Sequence, residues 1–140
     1  MKAPLIRSIS MAVFCLTLGG CGAVKGKQLA EDAIKVFHEQ LDKGDFNTMY
    51  SAAHADLKAA SSEKEFIALL EAVHRKLGIV KNSESAGWNV NSFNLKTNVV
   101  LTCKTKFADG DATETFTYRV EGDKAVLVGY NISSMALITK

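Results

Sequence analysis

The chain changes its hydrophobic rhythm once, just past its midpoint. From Lys27 the apolar positions recur at spacings of three and four: Leu29, Ala33, Val36, Phe37 and Leu41 share one helical face, with Glu31, Lys35, Glu39 and Asp42 elsewhere. Lys43-Gly44 predicts the end of that helix, since glycine adopts the left-handed cap without strain. Asp45 suits the N-cap of a second, shorter helix from about Phe46 to Ala59, with Phe46, Met49, Tyr50, Ala53 and Leu57 as its apolar positions. Ser62 and Glu65 have capping-box spacing and open a third helix, with Phe66, Leu69, Leu70, Val73 and Leu77 inward and Gly78 as its stop.

After Gly78 the period becomes two. Trp88, Val90 and Ser92 alternate with Asn89, Asn91 and Phe93; Val99, Leu101, Cys103 and Phe107 then alternate with Thr102, Lys104 and Lys106. A third run begins at Thr115 and turns Phe116, Tyr118 and Val120 inward; a fourth spans residues 125–132. Ala108-Asp109-Gly110-Asp111 and Gly122-Asp123 are turn signals, and connections this short imply an antiparallel meander. The expected class is α+β, three N-terminal helices packed on a curved four-stranded antiparallel sheet over residues 27–133, with 134–140 as a C-terminal tail.

The first twenty residues follow neither rhythm. Lys2 and Arg7 precede an apolar run, Ile9 to Leu18, about half the roughly 20 residues a membrane-crossing helix needs. It fits the core of a secretory signal, and Gly19-Gly20-Cys21-Gly22 would break a buried helix. Leu18-Gly19-Gly20-Cys21 resembles the lipobox of bacterial lipoproteins, an aliphatic residue and two small ones before an obligatory cysteine. That resemblance implies cleavage between Gly20 and Cys21, acyl chains on Cys21, and a membrane as partner through them, with 21–26 as a short tether. Two or more chains hold a protein firmly, whereas one does so only marginally. Gly22, where such lipoproteins carry Asp for inner-membrane retention, implies the outer membrane facing the periplasm in a Gram-negative cell.

Composition changes the picture in two ways. The formal charge of +2 belongs to the signal: removing Lys2 and Arg7 leaves fifteen basic and fifteen acidic residues. A nucleic-acid partner, which needs a basic stripe, is excluded on that ground. Of three cysteines, Cys15 leaves with the signal and Cys21 is lipidated, so Cys103 stands alone and no internal disulfide forms. Its strand position predicts a buried core thiol.

Candidate chemistry is sparse. His38, His54 and His74 lack metal-ligand spacing and are expected on the surface or at helix edges, and no metal or cofactor is implied. None of the strand positions expected to face inward is acidic, which argues against proton abstraction in the sheet's hollow. Tyr50, Trp88, Tyr118 and Tyr130 are the candidates to line a pocket there.

Lys43-Gly44-Asp45-Phe46 with Tyr50, Arg75-Lys76-Leu77-Gly78, Glu121-Gly122-Asp123 and Val128-Gly129-Tyr130-Asn131-Ile132 carry a wider resemblance. Together they resemble small bacterial lipoproteins of unknown function with a cystatin-like or nuclear-transport-factor-2-like cone. The resemblance implies the cone fold and no particular activity, because this fold hosts enzymes, binders and adaptors alike. The expectation is a non-catalytic, lipid-anchored periplasmic domain that binds a small hydrophobic ligand or an envelope protein. The alternatives are an immunity lipoprotein that occupies an incoming toxin and, behind it, a small cone-fold isomerase or hydrolase.

Overall fold

The computed structural model describes residues 21–139; the expected signal, with Gly20 at its expected cleavage site, lies outside them. The order is α1 (Cys21–Lys43), α2 (Phe46–Ala52), α3 (Ala55–Ala60), α4 (Glu63–Leu77), β1 (Val80–Phe93), β2 (Lys96–Phe107), β3 (Gly110–Glu121), β4 (Lys124–Ser133) and α5 (Met135–Thr139). The strands pair in sequence order, each antiparallel to the next. This is the expected α+β meander. Two irregularities in β1–β2, near Val80 and Ser85, and one in β3–β4 at Val128 interrupt the ladders, and such bulges bend a sheet.

Three helix boundaries differ from expectation. The residues expected as a tether, 21–26, are the first turns of α1. The expected second helix is two helices, because Ala53 and His54 are extended and His54 Nδ1 accepts the Asp56 amide at 3.0 Å as the N-cap of α3. Residues 135–139 form α5, packed where Ala136 meets Gly110, in place of a free tail. The third expected helix stands as α4, with both halves of the Ser62–Glu65 capping box formed and Gly78 stopping it at φ +74°.

The core lies between α1, α4 and the inner face of β2 and β3. Ile34, Phe37 and Leu41 from α1 and Leu70, Val73 and Leu77 from α4 meet Val99, Leu101, Phe107, Phe116 and Tyr118. The buried stripe of α1 is therefore rotated one position from the expected one. Ala30, Ile34, Phe37, His38 and Leu41 face the sheet, while Val36 is half exposed and Leu29 and Ala33 are only partly covered. No helix among the described residues is long and apolar enough to cross a membrane.

Candidate functional site: a groove beside a buried carboxyl group

The displaced stripe of α1 has its own destination. Leu29, Ala33 and Val36 form one wall of a groove of about 660 Å³, with Met49 of α2 and Ala53, just after that helix, as its floor and Ala125 and Leu127 of β4 opposite. An apolar arc wider than a single stripe lets α1 serve two surfaces at once, the core on one side and the groove on the other. Polar groups sit at its margin: Asp32 and Gln40 on α1, Asp123 and Lys124 in the β3–β4 turn.

Tyr118 is the polar element at depth. It lies on the inner face of β3, paired with Leu127, and only 3% of it is accessible, yet it lines the groove. Burial, reinforced by the negative charge of Glu114, pushes its phenol far above the usual tyrosine range. The side chain thus stays uncharged and adds to the lining of the groove.

Behind Tyr118 lies an unexpected group. Glu114 is fully buried on the same face of β3, two positions before Phe116. Its Oε2 accepts from Thr105 Oγ1 at 2.5 Å and from His38 Nε2 at 2.8 Å, and its Oε1 accepts from Tyr130 Oη at 2.7 Å. Because Thr105 spends its proton on Glu114, Ser83 Oγ, 2.8 Å away, donates to Thr105. Four elements thus converge on one carboxyl group: α1, β2, β3 and β4. Burial and the adjoining Glu114 charge hold the Tyr130 phenol well above its ordinary value.

This corrects the expectation that no inward strand position is acidic. The third strand begins at Gly110, five residues before the expected start, and the alternation carried back from Phe116 through Glu114 to Ala112 places both inside. The signal was available in the sequence: an unbroken period of two crossing a carboxyl residue. Glu114 does not line the groove; its oxygens are committed to three donors, so what it does here is fix α1 against the sheet.

The expected pocket residues separate. Tyr118 lines the groove. Tyr130 is drawn into the Glu114 network, its ring 4.7 Å from Phe37 and 5.2 Å from Phe116. Tyr50 braces α2, donating to the Ser61 carbonyl at 3.1 Å and packing on Phe66, with the Lys58 ammonium over its ring. Trp88 sits half exposed on β1 beneath the Lys27 ammonium.

The histidines separate too. His38 is buried, contrary to the expectation of a surface or boundary residue, because Glu114 offers it a partner inside. His54 is the α3 cap and approaches Glu121 at 3.4 Å. His74 packs against Phe46 with its Nδ1 buried and unpartnered. Among the described residues no cluster of His, Cys, Asp and Glu is arranged to hold a metal ion. Cys103 is buried, as expected, and burial raises its thiol pKa, so it is held as a thiol rather than a nucleophilic thiolate.

The remaining wall of the groove is tied from outside. Arg119 Nη2 reaches Asp56 of α3 at 3.0 Å, and its Nε donates to Asn98 at 2.6 Å. The His54 amide donates to the Leu127 carbonyl at 2.9 Å. The first contact docks α3 on β3 and the last docks its N-cap on β4, and together they hold the helical floor against the sheet that closes the groove.

No protein-family model matches the chain, and no curated protein matches it. Among solved structures it is similar to an NTF2-like protein from Cytophaga hutchinsonii, with 10% sequence identity and a TM-score of 0.49 over 78% of this chain and 98% of that one.

Proposed function

We propose that the chain is a lipid-anchored envelope protein whose domain binds a small, largely apolar ligand in the groove between α1 and β4. The groove carries the reading. Its size falls within the several-hundred-Å³ range of ligand sites, its walls are largely aliphatic, and the uncharged Tyr118 side chain is part of its lining. The ligand class that fits is an acyl or polycyclic hydrocarbon body bearing one hydrogen-bond acceptor, which the Tyr118 hydroxyl would meet. Anchoring rests on the lipobox-like Leu18-Gly19-Gly20-Cys21 behind its apolar signal.

Displacement of an environment-sensitive apolar fluorophore tests the reading. Saturable binding with one site per chain, competed by fatty acids or sterol-like compounds and lost in Val36→Asp, is the expected result. Absence of saturable binding, together with recovery of one stoichiometric protein from envelope extracts, would replace it with the protein-interaction reading.

A further inference from the structure

The end of the molecule from which α1 starts carries a second feature. The hairpin joining β1 to β2 turns through Asn94 and Leu95, whose φ angles are +49° and +63°. Asparagine tolerates that left-handed region; a leucine rarely adopts it, and glycine is usual there. Leu95 nevertheless occupies it with its side chain wholly in solvent, and the neighbouring Phe93 is 74% exposed. Neither residue contributes to the core, so packing does not explain two large apolar side chains at a strained tip.

Their position relative to Cys21 follows from α1. At its C-terminal end, Asp42 accepts the Val80 amide at 2.9 Å, beside the Val80–Phe107 rung of the hairpin. Toward its N-terminus, Gly26 is pressed against Val99 and Val120, where a Cβ would come within 3.3 Å of Val99. Val99 pairs with Val90, three residues short of Phe93. The helix therefore runs along the hairpin toward its tip. Cys21 lies roughly 7.5 Å of helix beyond Gly26, and the tip roughly 10 Å of strand beyond Val90. Both leave the fold at one end, where Val24 is also exposed and Lys25 and Lys96 stand in solvent.

We propose that the β1–β2 tip is a second membrane contact, with Phe93 and Leu95 inserted into the headgroup boundary of the same bilayer that holds the acyl chains of Cys21. The proposal rests on the anchored reading above. The occupant is a lipid surface because the chain is delivered there: the anchor holds this end of the domain within reach of the interface. Lys25 and Lys96 can keep their ammonium groups among anionic headgroups while their stems cover the apolar side chains. Docked this way the domain has two points of contact instead of one, which fixes its orientation on the membrane.

The test uses the mature, acylated protein in vesicles of phosphatidylethanolamine and phosphatidylglycerol with brominated acyl chains. Trp88 is the only tryptophan, so the Trp88→Phe background accepts a single reporter. Leu95→Trp is expected to lose most of its emission to the brominated chains and to shift to the blue. Met135→Trp is the control, since Met135 is 72% exposed at the opposite end of the fold, and its emission is expected to be unchanged. Equal quenching of both reporters, or none at the tip of a protein whose mass shows acylation, overturns the proposal while leaving the anchor intact. A protein of unacylated mass that stays in the supernatant overturns the anchored reading and the tip contact with it.

Discussion

Glu114 and His38 meet 2.8 Å apart inside the domain, where the carboxyl side chain has no access to solvent and the imidazole almost none. A buried pair of this kind is costly to break, since the remaining partner stays desolvated. Glu114→Ala is expected to lower unfolding stability by about 3–5 kcal/mol, read from the urea midpoint. Glu114→Gln should cost less, because it keeps the volume and can still accept from one or two donors. A double-mutant cycle with His38→Gln should show coupling well above about 0.5 kcal/mol; additive effects would mean that the contact does not hold α1 to the sheet.

The groove predictions separate binding from folding. Val36 is half exposed on the groove side of α1, so Val36→Asp should change stability by no more than about 0.5 kcal/mol. The same change places a charge in the apolar wall and should weaken an apolar ligand at least tenfold, or about 1.4 kcal/mol. Tyr118→Phe keeps the ring and removes the donor. Its expected effect is a loss of about 0.5–1.5 kcal/mol in affinity for a ligand with an acceptor, and none for a pure hydrocarbon. Isothermal titration of the two variants with one ligand of each kind checks both statements.

Alkaline pH should destabilise the fold through its tyrosines. Tyr118 and Tyr130 hold their protons above the ordinary value of 10.0 in the folded state. Below pH 10 both states are protonated and the folded state keeps its full advantage. Above it the unfolded chain releases these protons first, so stability falls as pH rises, by up to about 1.4 kcal/mol per pH unit for each tyrosine. Chemical denaturation at pH 9, 10 and 11 should show the slope steepening above pH 10, and Tyr130→Phe should remove part of it. A flat profile would contradict the burial of these phenols.

Cys103 gives a probe of the same interior. It is 4% exposed, and burial raises its thiol pKa, so a thiol reagent should label the native domain slowly and at a rate that follows unfolding. Rapid labelling in native buffer would mean that the inner face of β2 is open to solvent.

The meander was legible because alternation and turn residues agree: Val99, Leu101 and Cys103 are inward as their spacing implies, and Asp109-Gly110 and Gly122-Asp123 do turn the chain. α4 was legible from its capping box and its glycine stop. The groove was not. Leu29, Ala33 and Val36 carry the same spacing as the core stripe of α1, and no local signal tells a wall facing a hollow from a wall facing a core. Glu114 was missed for a different reason. A charged residue normally marks the solvent side or a strand's end, and only its partners His38, Thr105 and Tyr130, far apart in sequence, make it an interior group. The break between α2 and α3 depends on His54 acting as a cap, a role with weaker sequence preference than Ser or Asp.

Native mass spectrometry of the protein extracted from envelopes in mild detergent tests the central claim, because one spectrum reads both ends of it. An anchored ligand-binding domain should appear at the mass of the chain from Cys21 onward plus covalent acyl chains, with a further species heavier by one small molecule that departs on mild activation. A chain that retains residues 1–20, has no acyl mass and carries no dissociable ligand would contradict the account.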